Sequence, residues 1–275
     1  MIESPSVNSV VIIPVYLPCP NEKERLAFMQ GCKVLYRYTI CLLSYPELDC
    51  SAYVLMAKEC GVKLERENFP RSFFESLSGY NRLMLSCEFY KRFTSFDYML
   101  IYQLDAWVFR DELDLWCAKG FDYIGAPWFT ENKCHEDGAS LWEVGNGGLS
   151  LRRIRTFINL FSHNKHVYSV KHYVKEDFKN KRIGLLLKHI LFRERFMDLL
   201  HGWNDAEDLF YCLRLRGTRL SLQTPSVDEA MFFAFEKSPS YLYGLTNKLP
   251  FGCHAWAKYE PSFWERFIMD DNAKE

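Results

Sequence analysis

The stretch that most constrains this chain is residues 98–109, Y-M-L-I-Y-Q-L-D-A-W-V-F. Aromatic, aliphatic and β-branched side chains run without a break on both sides of a single charge, Asp105. A strand covered on both faces reads this way, because neither face can then be polar. The pattern predicts an inner strand of a sheet layered between helices. A carboxylate at the end of such a strand is costly unless a cation, a metal or a hydrogen-bond donor meets it. In open α/β sheets ligands bind beyond the carboxyl ends of the strands. Asp105 is therefore a candidate site residue; the plainer alternative is a carboxylate that caps the next turn or pairs with an arginine.

The rest of the chain supports an α/β reading. Residues 9–16 (S-V-V-I-I-P-V-Y) predict a first buried strand, with Pro14 ending or bending it. Residues 22–38 have helical spacing, 39–43 and 51–57 read as further strands, and 62–69 as a short connection. Residues 73–93 predict one helix, 111–119 a short one, 122–126 a brief strand, and 152–161 a helix after a glycine-rich turn. Residues 204–215 read as a helix capped by Asn204 or Asp205, and 230–236 as a late strand. Alternation of this kind favours a parallel or mixed sheet in one domain spanning residues 1–275.

Residues 163–201 differ in character. They hold nine Lys or Arg against four acids, with Ile183, Leu187, Ile190, Leu191 and Met197 at helical spacing. This is a basic helical insertion. It either packs on its own domain with a solvated basic face, or touches a membrane surface or an anionic ligand.

Composition excludes several classes. The 275 residues are 48% hydrophobic and 25% charged with a net charge of −1, so no overall field favours nucleic acid. The ten cysteines show neither paired spacing nor C-x-x-C, which predicts reduced thiols in a cytoplasmic setting. Residues 1–10 are polar and run straight into a strand, so no secretory leader is expected. No apolar run reaches the roughly 18 residues of a spanning helix. The phosphate-loop and dinucleotide-fold glycine patterns are both absent.

Four places bear groups suited to chemistry. Gln103 and Asp105 alternate along the predicted strand, which puts their oxygens on one face as a pair for a hard divalent ion and, through it, a diphosphate. Gly145, Gly147 and Gly148 surround Asn146, a segment that permits close backbone approach to a ligand or serves only as a tight turn. Glu207 and Asp208 sit in a first helical turn, where they favour the helix dipole or supply a general base. His254 is a metal ligand, a phosphate donor, or a satisfied buried imidazole.

Together and in order, V-V-I-I-P-V-Y, Q-L-D-A-W-V-F, Y-I-G-A-P-W, V-G-N-G-G-L-S-L-R and E-D-L-F resemble a bacterial family of domain-of-unknown-function proteins related to GT-A type glycosyltransferases. The resemblance runs from about Val10 to about Trp256. It implies a GT-A-like α/β fold, with a mixed, mostly parallel sheet flanked by helices. It also implies a D-x-D element that holds a nucleotide-sugar diphosphate through Mn²⁺ or Mg²⁺. Gln103-Leu104-Asp105 stands at that element, so its first acid is missing. By position the resemblance assigns Pro14, Val15 and Tyr16 to the nucleoside, and Gln103, Asp105, Asn146, Gly147 and Gly148 to the donor. It assigns Asp105 and His254 to the metal, and Asp208, with Glu207 second, to the base of an inverting transfer. Trp128, Trp142 and Trp203 lie beside these segments, either stacking on sugars or packing in the core.

The expected function is transfer of a sugar from a nucleotide-sugar to the hydroxyl of a glycan or lipid-linked acceptor. Contact with the inner face of the membrane would run through residues 163–201. An inactive glycan- or nucleotide-binding protein is the alternative, and a nucleotidyltransferase a third reading.

Overall fold

The computed structural model describes residues 7–180 and 183–272, and the first hundred positions alternate strand and helix. β1 (Ser9–Pro14) leads to α1 (Glu22–Val34), β2 (Thr39–Ser44), α2 (Ser51–Glu59) and β3 (Leu64–Asn68). Then come α3 (Leu77–Met84), α4 (Cys87–Lys91) and β4 (Tyr98–Tyr102). β1 pairs in parallel with β2 and with β4, and β2 with β3. Further on lie β5 (Trp107–Val108), α5 (Leu113–Ala118), β6 (Tyr123–Ile124), β7 (Pro127–Phe129), β8 (Leu141–Val144) and β9 (Leu149–Arg153). β9 runs antiparallel to β4 and β6, completing a six-stranded sheet in the order β3-β2-β1-β4-β9-β6. This is the mixed, mostly parallel sheet flanked by helices that the sequence implies.

The two inner strands are buried on both faces by alternation. Val11, Ile13, Leu100 and Tyr102 join one apolar cluster, and Val10, Ile12, Met99 and Ile101 the other. Each such aliphatic side chain contributes about 1.5–3 kcal/mol by leaving water. The chain order reverses at β1, with β2 and β3 on one side and β4 on the other. The crevice beyond the carboxyl ends of β1 and β4 is thus the switch point where such sheets bind ligands.

Several elements depart from the sequence reading. Residues 98–109 are two strands, not one: β4 ends at Tyr102, and a turn closed by Ala106 N–H donating to the Gln103 carbonyl leads to β5 in a separate sheet. Gln103 and Asp105 therefore sit on a turn, and strand alternation does not apply to them. Residues 51–57 are helical, with Tyr53, Met56 and Ala57 buried and Val54 and Leu55 exposed, a spacing of three to four. An unbroken apolar run cannot distinguish these states. Residues 64–68 are the edge strand β3, whose L-E-R-E-N charges suit an unprotected edge. The helix expected over 73–93 is split at Leu85–Ser86, where the Ser86 hydroxyl caps α4.

After β9 follow α6 (Ile154–Phe161), α7 (Val170–Lys179), α8 (Leu186–Leu191) and α9 (Phe196–His201). The basic segment is an excursion whose ends meet: Val167 N–H donates to Glu194, and Phe196 N–H to Lys165. Phe196 and Leu199 of α9 return to the core, while Leu187 and Leu191 of α8 face solvent. Lys181 and Arg182, part of its charge, lie outside the described residues. α10 (Glu207–Leu209) starts after Ala206 without a side-chain cap, so neither Asn204 nor Asp205 caps it, and it widens into a π-helical turn over Phe210–Arg214. Residues 230–236 are mostly the helix α11 (Val227–Phe233), begun by Ser226, with only β10 (Ala234–Phe235) extended. α12 (Pro239–Thr246), β11 (Gly252–Cys253) and α13 (Pro261–Asn272) complete the chain. All ten cysteines are free. Among the described residues no helix is long and apolar enough to cross a membrane.

Candidate functional site

A three-stranded sheet, β10-β11-β5, assembles one side of the site. β10 and β11 are parallel with Phe235 opposite Cys253, and β11 and β5 antiparallel with Cys253 opposite Trp107. One residue beyond each pairing, Glu236, His254 and the turn bearing Asp105 come to the same end. His254 Nε2 lies 3.2 Å from Asp105 Oδ1, and Nδ1 lies 3.2 Å from Glu236 Oε1. Burial alone would lower the His254 pKa, but the two carboxylates outweigh it and raise it to about 10. Burial would raise both acids, and the histidine holds both below their ordinary values.

The glycine-rich turn forms the floor. β4 and β9 pair Tyr102 with Leu149, and the ladder continues with Gln103 N–H donating to the Gly148 carbonyl. Asn146 is buried in the left-handed region at φ 69°, and its Oδ1 accepts from Gly148 N–H (3.0 Å). Each glycine is imposed by a neighbour. A Cβ at Gly145 would overlap the Trp128 indole, at Gly147 the Glu207 carboxylate, and at Gly148 the His254 imidazole. The turn therefore keys three site side chains into place.

Glu207 and Asp208 meet different environments. Glu207 is buried and accepts from Arg152 Nη2 at 2.7 Å and Nη1 at 3.1 Å; Arg152 has no exposure. Burial pushes Glu207 up to about 7, against the opposing charge of Arg152. Asp208 accepts from Gly147 N–H (3.0 Å) and Leu209 N–H (2.8 Å), and burial raises its pKa although those donors oppose it. Glu207 is committed to a cation, whereas Asp208 is held against the turn by backbone alone.

Two cavities adjoin. One of about 420 Å³ at the switch point is lined by Pro14, Tyr16, Phe73, Phe74, Gln103 and Asp105. The other, of about 340 Å³, is lined among others by Trp128, Trp142, Gly147, Asp208, Glu236 and His254. Leu77, Tyr80 and Gln103 belong to both and form the shared wall.

Of the residues assigned from the sequence to nucleoside, donor, metal or base, all but Val15 line these cavities. Val15 has no exposure and donates its N–H to the Leu43 carbonyl, so it packs in the core and contacts no ligand space. Trp128 and Trp142 line the second cavity, whereas Trp203 packs on Phe210 and donates Nε1–H to Ala206. Sequence reasoning missed Arg152, Glu236, Tyr80 and the Phe73–Phe74 pair. Arg152 was legible in part: on a strand, S-L-R puts Ser150 and Arg152 on one face, and Arg152 Nε donates to Ser150 Oγ (3.1 Å).

Asp105 and His254 are the residues at the junction that would hold a divalent ion. His254 Nε2 is buried and makes no hydrogen bond, although Asp105 is close. Two ligands about 2.1 Å from one ion and at right angles to each other stand about 3 Å apart, near the spacing found here. Among the described residues no three His, Cys, Asp or Glu side chains form a ready cage. That suits an ion that takes its remaining ligands from substrate phosphates and water.

Residues 63–254 match a family described as "Protein of unknown function (DUF5672)". The chain belongs to the DUF5672 family. The matched part holds the β4 turn, the glycine-rich turn, Asp208 and His254, but not Pro14 or Tyr16. Among solved structures, this DUF5672 chain is similar to the apo-form glycosyltransferase GlyE of Streptococcus pneumoniae TIGR4, at 16% identity and a TM-score of 0.43. A second GlyE structure matches at 15% identity and a TM-score of 0.47. In both, 96% of this chain aligns with 60% of the other, so it spans less than two thirds of their length. No curated protein matches.

Proposed function

We propose that this DUF5672 chain is a glycosyltransferase that moves a sugar from a nucleotide-sugar to an acceptor hydroxyl, in surface glycan or polysaccharide synthesis. The adjacency of the two cavities carries the reading. The aromatic one suits a nucleoside between Tyr16 and Phe73–Phe74. The junction at Asp105 and His254 suits the diphosphate. The second cavity offers Gly147 and Gly148 for close approach, Trp128 and Trp142 as sugar platforms, and one carboxylate, Asp208, free of a side-chain cation.

In this reading Asp208 takes the proton of the acceptor hydroxyl as its oxygen attacks the anomeric carbon. The bond from that carbon to the diphosphate breaks and its electron pair leaves with the nucleoside diphosphate. A single displacement inverts the anomeric centre. Burial equips Asp208 for this by raising its basicity toward neutral pH. A Mn²⁺ or Mg²⁺ ion at Asp105 and His254, when bound, supplies positive charge to the leaving diphosphate. Arg152 holds Glu207 in a bidentate pair beside Asp208, and so orders the turn on which both depend.

The acceptor in this reading is a glycan or a lipid-linked glycan at the cytoplasmic face of the membrane. Supporting it, Phe178, Leu185, Leu187, Leu191 and Phe192 are exposed beside Lys171, Lys175, Lys179 and Lys188. Apolar side chains among lysines suit peripheral contact with anionic lipid.

Incubation with UDP- and GDP-sugars in Mn²⁺ tests the proposal. Nucleoside diphosphate should be released and the product should carry the inverted anomer, read by NMR. If no nucleotide-sugar binds and Asp105→Ala changes nothing, the proposal fails. The second reading, a binding protein without turnover, is favoured by Gln103 standing where a D-x-D element has its first acid. Tight binding without diphosphate release would select it.

A further inference from the structure

Glu236 has no part in the mechanism above, yet it lies at its centre. It follows Phe235 as His254 follows Cys253, so the parallel register places the two side by side. The two carboxylates sit on opposite edges of the imidazole: Glu236 on Nδ1 and Asp105 on Nε2, each at 3.2 Å. The Asp105 side chain is 49% exposed and faces the cavity, while that of Glu236 is 15% exposed.

Asn146 fixes which nitrogen keeps its proton when a metal takes the other. Its Oδ1 is taken by the Gly148 and Leu149 N–H groups, so its Nδ2 donor faces His254 Nδ1 at 3.2 Å and the Glu236 carboxylate. Glu236 can only accept. Both neighbouring donors are satisfied at once when Nδ1–H and Asn146 Nδ2–H each give to Glu236. The opposite nitrogen, Nε2, is then the one left over, buried and without a hydrogen bond.

We infer that Glu236 is a positioning residue, which holds His254 with its proton on Nδ1 so that Nε2 and Asp105 face one divalent cation. The inference rests on the metal-assisted transferase reading but can be read with metal alone. Glu236 does not itself reach the ion, being across the ring from Nε2. Carboxylates placed behind a ligating histidine orient the ring and raise its basicity, and their loss typically costs 10–100-fold in metal affinity.

The test measures Mn²⁺ binding by electron paramagnetic resonance, without nucleotide-sugar. Glu236→Gln should weaken Mn²⁺ about 10–100-fold while the metal-free protein still unfolds cooperatively and binds UDP like the parent. A purely structural role would move Tm and leave the affinity alone. Histidine ¹⁵N spectra of the unaltered protein give a second measurement that needs no variant. On Zn²⁺ addition the Nε2 signal of His254 should shift and Nδ1 should stay protonated. Parent-like Mn²⁺ affinity in Glu236→Gln, metal on Nδ1, or no metal binding by the parent would each overturn the inference. Sugar transfer by a parent that binds no metal would overturn it while leaving the transferase reading standing.

Discussion

Arg152 and Glu207 form a buried bidentate ion pair, at 2.7 and 3.1 Å, although 55 residues separate them in the chain. Arg152 is fixed further by Ser150 Oγ and the Tyr90 hydroxyl, and its guanidinium lies 5.2 Å from the Tyr123 ring centre. The pair clamps α10 to β9 and sets the height of Asp208 above the glycine-rich turn.

Removing one partner should be severe. Glu207→Ala leaves a buried guanidinium without its counter-charge, a change that typically costs about 3–5 kcal/mol. The expected result is a large fall in the urea midpoint with an unchanged slope. The double variant Arg152→Met, Glu207→Leu should recover much of that stability. A Glu207→Ala protein as stable as the parent would show that the clamp is not needed.

Asp208→Asn should spare the fold and reduce turnover by about 10²–10⁴-fold, with nucleotide-sugar affinity retained. The pH dependence follows from burial, which raises the Asp208 pKa above its ordinary value. The base form then predominates only above that raised value, so the acid limb of kcat/KM should lie above the pKa of an ordinary aspartate. Stability runs the other way. Asp208 protonates more readily in the folded state, so its contribution is full below the unfolded pKa and is lost as pH rises through the folded one. Comparing urea midpoints of parent and Asp208→Asn across pH isolates that contribution.

The central strands and the switch-point site were legible because their signals are local. Unbroken apolar runs mark β1 and β4, and glycines around an asparagine mark the turn at Asn146. What stayed hidden depends on pairing across the chain. Glu236 stands in no motif, and only the register of β10 on β11 puts it beside His254. Arg152 reads as a helix start until the strand S-L-R is seen to alternate. β3 is charged because it is an edge, so it lacks the apolar pattern by which strands are recognised. Val15 follows a strand end that lines the cavity, but its own side chain turns to the core.

Gly148→Ala tests whether the turn keys the histidine. The new methyl group would overlap the His254 imidazole, so the ring must swing away from Asp105. Mn²⁺ binding and transfer should both fall at least tenfold, whereas Gly244→Ala, with open space around it, should leave both unchanged. A Gly148→Ala protein that binds Mn²⁺ like the parent would mean that the ring has room to move without losing its ligand position.

The exposed apolar side chains of the basic excursion make a separate prediction. Lys171 and Lys175 are four residues apart on α7, as are Leu187 and Leu191 on α8, so each helix presents a continuous stripe. Two of the four acids here are already engaged: Asp177 accepts from His189 Nδ1 (2.8 Å), and Glu194 pairs with Arg214 (3.5 Å). Among the described residues, Lys171, Lys175, Lys179 and Lys188 make no ion pair, which leaves their charge available to lipid phosphate. The protein should sediment with vesicles containing phosphatidylglycerol and not with pure phosphatidylcholine, with binding weakened by salt. Leu187→Ser with Phe192→Ser should abolish sedimentation without changing transfer to a soluble acceptor. Equal binding to neutral vesicles would leave the lysines without a role, and no binding to either would confine the excursion to the aqueous phase.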